Sequence, residues 1–233
     1  MEAELKLALP SRAALDALLE HLGASDRKGI LQSSIFYDTP SETIRGEGCN
    51  ARLRHALHRD NGTESWVVTV KGPKLKQKEF KADSIAVRPE EEEEVTKSVA
   101  DAIRAGTMSP LDALPQTELI KSIKAACGQE ALRPREMFEN TRVPVKHTLQ
   151  TSKGVCELTL ELDETRFEFE GAREAHWECE VELPPERASE LAGPVQAALQ
   201  EMLHSVCKAQ CEPAPGKLSR YRKFVKRAKK SSL

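Results

Sequence analysis

Acidic residues alternate with other residues along strand-like segments in the first and last parts of the chain. Within residues 1–7, Glu2, Glu4 and Lys6 share one face of a strand and the other face is apolar, because strand side chains alternate with period two. Clustered carboxylate oxygens are the ligands that Mg²⁺ and Mn²⁺ prefer. If these segments lie together, the sequence therefore predicts a site for one of these ions. The acids on the later segments are Glu161, Asp163, Glu178, Glu180 and Glu182.

Basic residues occupy one face of several other strand-like segments. Arginine forks and lysine ammonium groups can neutralise the dense charge of a polyphosphate. Carboxylates near the same anion would repel it unless a divalent cation lay between them. Acids and bases on one surface therefore indicate metal-assisted phosphoryl transfer from a polyphosphate. The basic residues are Lys6, Arg52, Arg54, Lys71, Arg88 and Arg142.

The elements that must position these residues are mostly short strands. Alternation and turn signals predict strands over residues 1–7, 31–37, 51–58, 65–70, 84–95, 135–150, 155–162, 166–170 and 174–183. About eight antiparallel strands can close into a barrel, which would hold the charged faces inside. Helices are predicted over residues 11–22 and 186–208, and two or three short ones within 96–131, as an insertion between two halves of the sheet. The fold class expected is therefore α+β.

Composition limits the partners and the location. The chain has 233 residues and a net charge of -2, so no bulk attraction to nucleic acid or to a membrane is expected. It has no run of eighteen apolar residues and no secretion signal. Its six cysteines form no CxxC pair and are interpreted as reduced thiols. A cytoplasmic protein is therefore expected, and its oligomeric state cannot be predicted.

Two other groups of residues have a simpler interpretation than metal binding. Asp38 precedes Thr39 and Pro40 and is predicted to be a turn residue. His204, Cys207 and Cys211 share a helical face, but one helix without a fourth ligand favours packing over a metal site. Neither group changes the predicted chemistry.

Short motifs occur in a fixed order along nearly the whole chain. They are ExExK from Glu2, YDTP from Tyr37, RxR from Arg52, TxKGP from Thr69, RxExE from Arg88, ExExE from Glu178, and KxxR from Lys217. This set resembles the motifs of the CYTH, or triphosphate tunnel metalloenzyme, superfamily. The closing element has Gly216 where the family commonly has serine. The resemblance implies one such domain over residues 1–233, built on an eight-stranded antiparallel barrel with flanking helices, an insertion at about 96–131 and a basic tail at about 221–233.

The resemblance also implies roles for individual residues. Glu90 or Glu92 would orient the attacking water, and Lys6 would be both catalytic and phosphate-binding. The residues implied for the metal are Glu2, Glu4, Glu178 and Glu180, with Glu182 and Asp163 as further candidates. Those implied for phosphate are Arg52, Arg54, Lys71, Arg88, Arg142, Lys217 and Arg220, with Lys146 as an alternative to Arg142.

The activity expected is Mg²⁺- or Mn²⁺-dependent hydrolysis of inorganic triphosphate to pyrophosphate and phosphate. Thiamine triphosphate hydrolysis, formation of cyclic AMP as in class IV-like adenylate cyclases, and non-catalytic polyphosphate binding remain alternatives. Aromatic residues make up only 4% of the chain, which favours a substrate without a ring because ring binding commonly uses aromatic stacking.

Overall fold

The structure is a computed structural model that describes residues 1–75 and 82–231. Its strands are β1 Glu2–Leu9, β2 Ile30–Asp38, β3 Asn50–His58, β4 Glu64–Lys71, β5 Ile85–Arg88, β6 Glu90–Val95, β7 Arg133–Thr151, β8 Gly154–Phe169 and β9 Ala172–Glu182. Its α-helices are α1 Arg12–His21, α2 Thr43–Gly46, α3 Lys97–Arg104, α4 Glu118–Cys127, α5 Ala188–Cys207 and α6 Lys217–Ser231. Short 3-10 turns cover Pro110–Ala113 and Pro185–Arg187.

The predicted fold class, an α+β antiparallel barrel fold with flanking helices, is confirmed, but within residues 1–75 and 82–231 the sheet has nine strands rather than eight. The strand predicted over 84–95 was wrong as one element, because it divides at Pro89 into β5 and β6. Proline has no backbone N–H to continue a ladder. As a result β5 adjoins β1 whereas β6 adjoins β4, so Arg88 and Glu90 belong to different strands.

One smaller prediction also needs correction. The strand predicted over 166–170 is the end of the long strand β8. A one-turn helix, α2, lies between β2 and β3. The basic tail expected at about 221–233 belongs to helix α6 as far as Ser231, and residues 232–233 lie outside the described part of the chain. Burial of Tyr221 and Phe224 supplies the tertiary packing that stabilises this helix.

The chain divides into two compact units. The first contains Leu31–Leu75 and Val87–Met137, with its strands in the order β2-β3-β4-β6. The insertion predicted over 96–131 contributes helices here, and Ile103 of α3 and Ile120 of α4 pack with Val68 of β4 in the apolar core. The opposite face of β3 and β4 carries polar residues. Alternation along the strands therefore separates the core of this unit from its charged face.

The second unit contains Glu2–Ile30 and Phe138–Leu233, together with residues 82–86. Its strands follow the order β5-β1-β9-β8-β7. Leu5, Leu160 and Val181 have one percent or less of their surface exposed, so one face of β1, β8 and β9 is apolar core. The residues between them in sequence face the other way and carry the charges. The helices α1 and α5 pack against each other in this unit.

Two glycines bring backbone segments unusually close. A Cβ atom on Gly29, whose φ is +72°, would lie 2.7 Å from the carbonyl oxygen of Arg142. A Cβ atom on Gly72 would lie 3.2 Å from the ring of Pro89, and the Gly72 N–H donates to the Pro89 carbonyl at 2.8 Å. A side chain at either position would push away a segment that carries a predicted site residue.

Asp38 is the last residue of β2, and its side chain supports the turn that follows, which is close to the turn role predicted for it. Its Oδ1 accepts hydrogen bonds from the backbone N–H groups of Thr39 and Ile44, both at 2.8 Å, and its Oδ2 accepts one from Arg45 at 3.0 Å. Both carboxylate oxygens therefore satisfy the first N–H groups of α2. All six cysteines are free. Within residues 1–75 and 82–231, no helix is long and apolar enough to cross a membrane.

Candidate active site

Five carboxylates converge on one face of the second unit. The pairing of β1 with β9 sets Lys6 opposite Glu180, and the pairing of β8 with β9 sets Asp163 opposite Glu178. Asp163 and Glu178 are fully buried and Glu180 is 2% exposed. We call this group the carboxylate cluster, and its members are Glu4, Glu161, Asp163, Glu178 and Glu180.

Four cations enter the carboxylate cluster from three elements. Lys6 of β1 contacts Glu180 and lies 2.7 Å from Glu4, measured from Nζ to Oε2. The others are Arg142 of β7, and Lys217 and Arg220 of α6. Buried charges of one sign are costly unless they are paired. The cluster therefore depends on these internal cations for its own stability.

Arg142 contacts three of the five carboxylates. Its Nε donates to Asp163 Oδ1 at 2.9 Å and its Nη2 donates to Asp163 Oδ2 at 2.6 Å, which is a two-pronged contact. Nη2 also donates to Glu180 Oε2 at 2.6 Å, and Nη1 pairs with Glu161. The guanidinium fork suits this role because its donors diverge in one plane. Lys146, the alternative to Arg142, is exposed, so the structure brings Arg142 and not Lys146 to the cluster.

The helix α6 delivers two further cations because aromatic packing fixes its position. Tyr221 packs against Phe167 with ring centroids 5.4 Å apart, and Phe224 packs against the same ring at 5.9 Å. One turn earlier, Lys217 Nζ lies 2.7 Å from Asp163 Oδ2 and 2.6 Å from Glu180 Oε1, and it also contacts Glu178. Arg220 donates to Glu178 as well. The helix therefore places one ammonium group among three carboxylates.

These pairings shift the pKa values of the buried groups. Burial alone would raise the pKa of Asp163, but the charges of Arg142 and Lys217 outweigh it and lower that pKa. Burial would likewise raise the pKa of Glu180, and Lys217, Lys6 and Arg142 together hold it well below its usual range. Both acids are therefore ionised at neutral pH.

The pKa values of the two lysines, Lys6 and Lys217, are raised rather than lowered. Burial by itself lowers the pKa of Lys6, but Glu180, Glu4 and Glu178 together raise it. Burial also lowers the pKa of Lys217, and Asp163, Glu178 and Glu180 more than compensate. Both lysines are therefore fully protonated near neutrality, so each can bind an anion but neither can serve as a general base.

The carboxylate cluster contains two sets of oxygens that fit a divalent cation. Glu4, Glu161 and Glu180 offer oxygens within 4.8 Å of one another, and so do Asp163, Glu178 and Glu180. The second set is completely buried and surrounds the Lys217 ammonium group. The first set is more accessible, since Glu4 and Glu161 are half-buried. All-oxygen ligands of this charge suit Mg²⁺ or Mn²⁺.

Basic residues form a second group of side chains, which lies in the first unit. The pairings of β3 with β4 and of β4 with β6 set Arg52 opposite Thr69 and Lys71 opposite Glu90. Arg52 Nη2 donates to Thr69 Oγ1 at 3.0 Å, and Lys71 Nζ lies 3.3 Å from Glu90 Oε1. We call this group the basic ladder, and its cations are Arg52, Arg54 and Lys71, which share one face of β3 and β4. Arg88, also predicted to bind phosphate, ends the separate strand β5.

The two acids predicted to orient water lie on β6 beside the basic ladder. Thr69 Oγ1 donates to Glu92 Oε2 at 2.9 Å, and Arg52 Nη2 lies 3.9 Å from the same oxygen. The Glu92 side chain is 51% exposed, whereas that of Glu90 is 17% exposed. By register, Arg52, Arg54 and Lys71 share this face with three acids, because Glu94 lies on the same side of β6 as Glu90 and Glu92. The three cations can still bind an anion that replaces these acids as their partner.

Two acids predicted as metal ligands lie outside both sets of oxygens. Glu2 is buried at the start of β1, and Glu182 is exposed at the end of β9. Neither belongs to the carboxylate groups within 4.8 Å of one another that the described residues form. Glu182 is directly opposite Glu4 in the pairing of β1 with β9, so it has the predicted face, but its side chain is exposed.

Sequence reasoning missed three residues around the cluster. Glu161 is an acid of the alternating segments but is not among the metal ligands that the resemblance implies, and it belongs to the accessible set of oxygens. Asn140 Nδ2 donates to Asp163 Oδ1 at 2.9 Å, and Thr165 Oγ1 donates to Asn140 Oδ1 at 2.8 Å. The alternation of Glu161, Asp163 and Thr165 along β8 was the available signal for the first and the last.

Comparison with known proteins identifies the family of the chain and solved structures with a similar fold. A family model described as the CYTH domain matches residues 1–204. Among solved structures, the candidate adenylyl cyclase HpAC1 from Hippeastrum, described as having a dominant triphosphatase activity, is 23% identical with a TM-score of 0.70, covering 96% of each chain. A candidate adenylate cyclase from Bacillus halodurans is 16% identical with a TM-score of 0.62, covering 95% of this chain and 97% of the other.

A candidate adenylate cyclase from Vibrio parahaemolyticus is 17% identical, with a TM-score of 0.53 and 97% of each chain covered. At these identities the likenesses show the fold alone. No curated protein matches the chain.

Proposed function

The chain belongs to the CYTH domain family, and on that premise we propose that it hydrolyses inorganic triphosphate to pyrophosphate and phosphate with a divalent cation. The observation that carries the proposal is the carboxylate cluster, in which two sets of oxygens fit a metal ion. The first unit supplies the row of cations Arg52, Arg54 and Lys71 on one face of β3 and β4. A metal-bound triphosphate needs both kinds of surface.

We assign the metal-binding role first to Glu4, Glu161 and Glu180, because their oxygens converge where the cluster is accessible. Asp163 and Glu178 remain candidates, although Lys217 lies between them. Glu2 and Glu182 are the weakest members of the proposed set. The bound Mg²⁺ or Mn²⁺ would neutralise phosphate charge and polarise the anhydride bond.

The basic ladder supplies the phosphate-binding role in this proposal. Arg52, Arg54 and Lys71, together with Arg88, would donate to phosphate oxygens, since charge-assisted contacts of this kind are the strong ones. Lys6, Arg142, Lys217 and Arg220 carry further positive charge at the carboxylate cluster. Glu90 or Glu92 would accept a hydrogen bond from the attacking water and orient it toward the terminal phosphorus.

Substrate choice and location belong to the same proposal. Low aromatic content favours free triphosphate over a substrate with a ring to be stacked. Six free cysteines agree with a reducing cytoplasm, where we place the protein. No nucleic acid or membrane partner is proposed.

A phosphate-release screen tests the function. The substrates are triphosphate, thiamine triphosphate, ATP and long-chain polyphosphate, each with Mg²⁺, with Mn²⁺ and with a chelator. Metal-dependent release that is fastest for triphosphate supports the proposal. Cyclic AMP formed efficiently from ATP would instead assign the activity that several neighbours of similar fold are named for.

A matched pair of variants controls the screen. Glu4→Gln removes one charge from the carboxylate cluster, whereas Glu157→Gln makes the same change at an exposed position of β8. Release that survives in Glu4→Gln as well as in Glu157→Gln would contradict the assignment of this cluster.

A further inference from the structure

A buried chain of polar side chains adjoins the carboxylate cluster within the second unit. Asn140 of β7 and Thr165 of β8 are directly opposite each other, two residues along from the pair Arg142 and Asp163. Thr165 is fully buried and Asn140 is 4% exposed. Because strand side chains alternate with period two, all four lie on one face of the sheet.

The hydrogen bonds of this chain have a defined direction. Thr165 Oγ1 donates to Asn140 Oδ1 at 2.8 Å, and Asn140 Nδ2 donates to Asp163 Oδ1 at 2.9 Å. An amide has an acceptor at one end and donors at the other. The hydroxyl group of Thr165 therefore fixes which end of Asn140 faces Asp163.

Asp163 in turn fixes the orientation of Arg142. The Arg142 Nε donates to Oδ1, the oxygen that Asn140 also contacts, and Nη2 donates to Oδ2. Two parallel contacts fix the plane of a guanidinium group. The remaining donors of Arg142 contact Glu180 and Glu161, which are two of the three acids in the accessible set.

We propose that Thr165 and Asn140 are positioning residues for the divalent-cation site at Glu4, Glu161 and Glu180, acting through Asp163 and Arg142. This inference rests on the part of the proposed function that assigns a metal to those acids. Residues that orient a metal's ligands commonly change its affinity by about 10- to 100-fold when they are removed. An apolar pair in place of Thr165 and Asn140 could fill the same space, so packing alone does not require this polar chain.

Titration with Mn²⁺ followed by electron paramagnetic resonance tests the proposal without substrate or turnover. Thr165→Val keeps the shape of the side chain and removes the hydroxyl group, so we expect Mn²⁺ to bind about tenfold more weakly. Thr165→Ser keeps the donor and should retain near wild-type affinity. If Thr165→Val does not fold, Thr165→Ala makes the same test.

A double-mutant cycle with Asn140→Leu tests whether the two residues act in series. If they do, Thr165→Val in the Asn140→Leu background should weaken Mn²⁺ binding no further, because coupled residues are non-additive. Thr151→Val is the control for loss of a buried hydroxyl group, since Thr151 is buried and donates to the Gly154 carbonyl at 2.8 Å. That control should bind Mn²⁺ normally even if it melts at a lower temperature.

Two results would overturn the inference: wild-type Mn²⁺ affinity in a folded Thr165→Val protein, or independent, additive losses in the cycle. The outcome is separable from that of the phosphate-release screen. Weaker Mn²⁺ binding in Thr165→Val together with no triphosphatase activity in the wild type would refute the proposed function and leave the positioning role standing. If the wild type hydrolyses triphosphate and Thr165→Val binds Mn²⁺ as the wild type does, the positioning role is refuted and the proposed function stands.

Discussion

Replacement of Lys217 by methionine tests how the carboxylate cluster is held together. The Lys217 ammonium group contacts Asp163 at 2.7 Å, Glu180 at 2.6 Å and also Glu178. Methionine fills most of the same volume but leaves three carboxylates short of one partner. Breaking a buried ion pair from one side typically destabilises a protein by about 3–5 kcal/mol.

The loss of stability in Lys217→Met should lie at the lower end of this range of about 3–5 kcal/mol. Asp163 keeps Arg142, Glu180 keeps Lys6 and Arg142, and Glu178 keeps Arg220. We therefore expect Lys217→Met to lower the free energy of unfolding by about 3 kcal/mol. For a chain of this size, each 1 kcal/mol corresponds to about 2–4 °C in Tm, so the shift should be about 6–12 °C.

The pH dependence of the same variant has a definite sign. Because the folded-state pKa values of Asp163 and Glu180 are lowered, their stabilising contribution is present above about pH 4 and is lost as the pH falls through the folded values. The raised pKa of Lys217 adds stability that is present below about pH 10.4 and is lost as the pH rises through its folded value. The difference between wild type and Lys217→Met should therefore be largest near neutrality and narrow in acid.

Urea and thermal unfolding of metal-free protein at about pH 7 and about pH 3 measure both effects. Lys223→Met is the matched control, because Lys223 is exposed on the same helix and such changes usually alter stability by less than about 0.5 kcal/mol. A Lys217→Met protein as stable as the Lys223→Met control at neutral pH would refute the view that this ammonium group compensates buried charge.

Three further predictions concern activity. Glu4→Gln should abolish most turnover and weaken Mn²⁺ binding with little loss of Tm, and unchanged Mn²⁺ affinity by calorimetry would contradict the metal assignment. Arg52→Ala should weaken triphosphate binding by about 2–4 kcal/mol, read as KM or Kd against an Arg59→Ala control at an exposed site; equal values in both variants would contradict a phosphate contact. The kcat/KM for triphosphate should exceed that for ATP by about a hundredfold. The reason is that ribose blocks one end of the triphosphate chain of ATP and removes charge-assisted contacts worth about 1.5–3 kcal/mol each. A comparable kcat/KM for ATP would overturn the substrate assignment.

Strand alternation made most of the site's faces predictable. Glu4 and Lys6 on β1 and Glu178 and Glu180 on β9 do share one face, and the intervening Leu5 is core. A period of two is a local property that a single strand reveals. The existence and approximate limits of most strands followed from the same signal.

The register between strands was not predictable in this way. Arg142 and Lys146 are four residues apart on β7 and share a face by alternation, so the sequence left both open. The pairing of β7 with β8 sets Arg142 opposite Asp163 and Lys146 opposite Thr159. Only the first partner is a buried acid, which is why one cation joins the cluster and the other is exposed.

The helix α6 shows a second limit of sequence patterns. Eight of its fifteen residues are lysine or arginine, and this composition predicted a basic tail but no helix. The position of α6 is fixed instead by two aromatic residues, since Tyr221 and Phe224 pack against Phe167 and Phe138. The cations on the same side, Lys217 and Arg220, then meet acids that come from distant parts of the sequence.

The pairing of cations with the carboxylate cluster links metal binding to anion binding in the proposed enzyme. Lys6 and Arg142 are occupied by carboxylates in this structure, so they can donate fully to phosphate only if the acids find another positive partner. A divalent cation at Glu4, Glu161 and Glu180 would be that partner and would leave both side chains available to the substrate. Metal and triphosphate should consequently each raise the affinity for the other by the same factor, as linkage requires. Burying these paired charges is costly on its own. In the proposed enzyme the same pairing lets a bound metal ion release the basic side chains to bind phosphate.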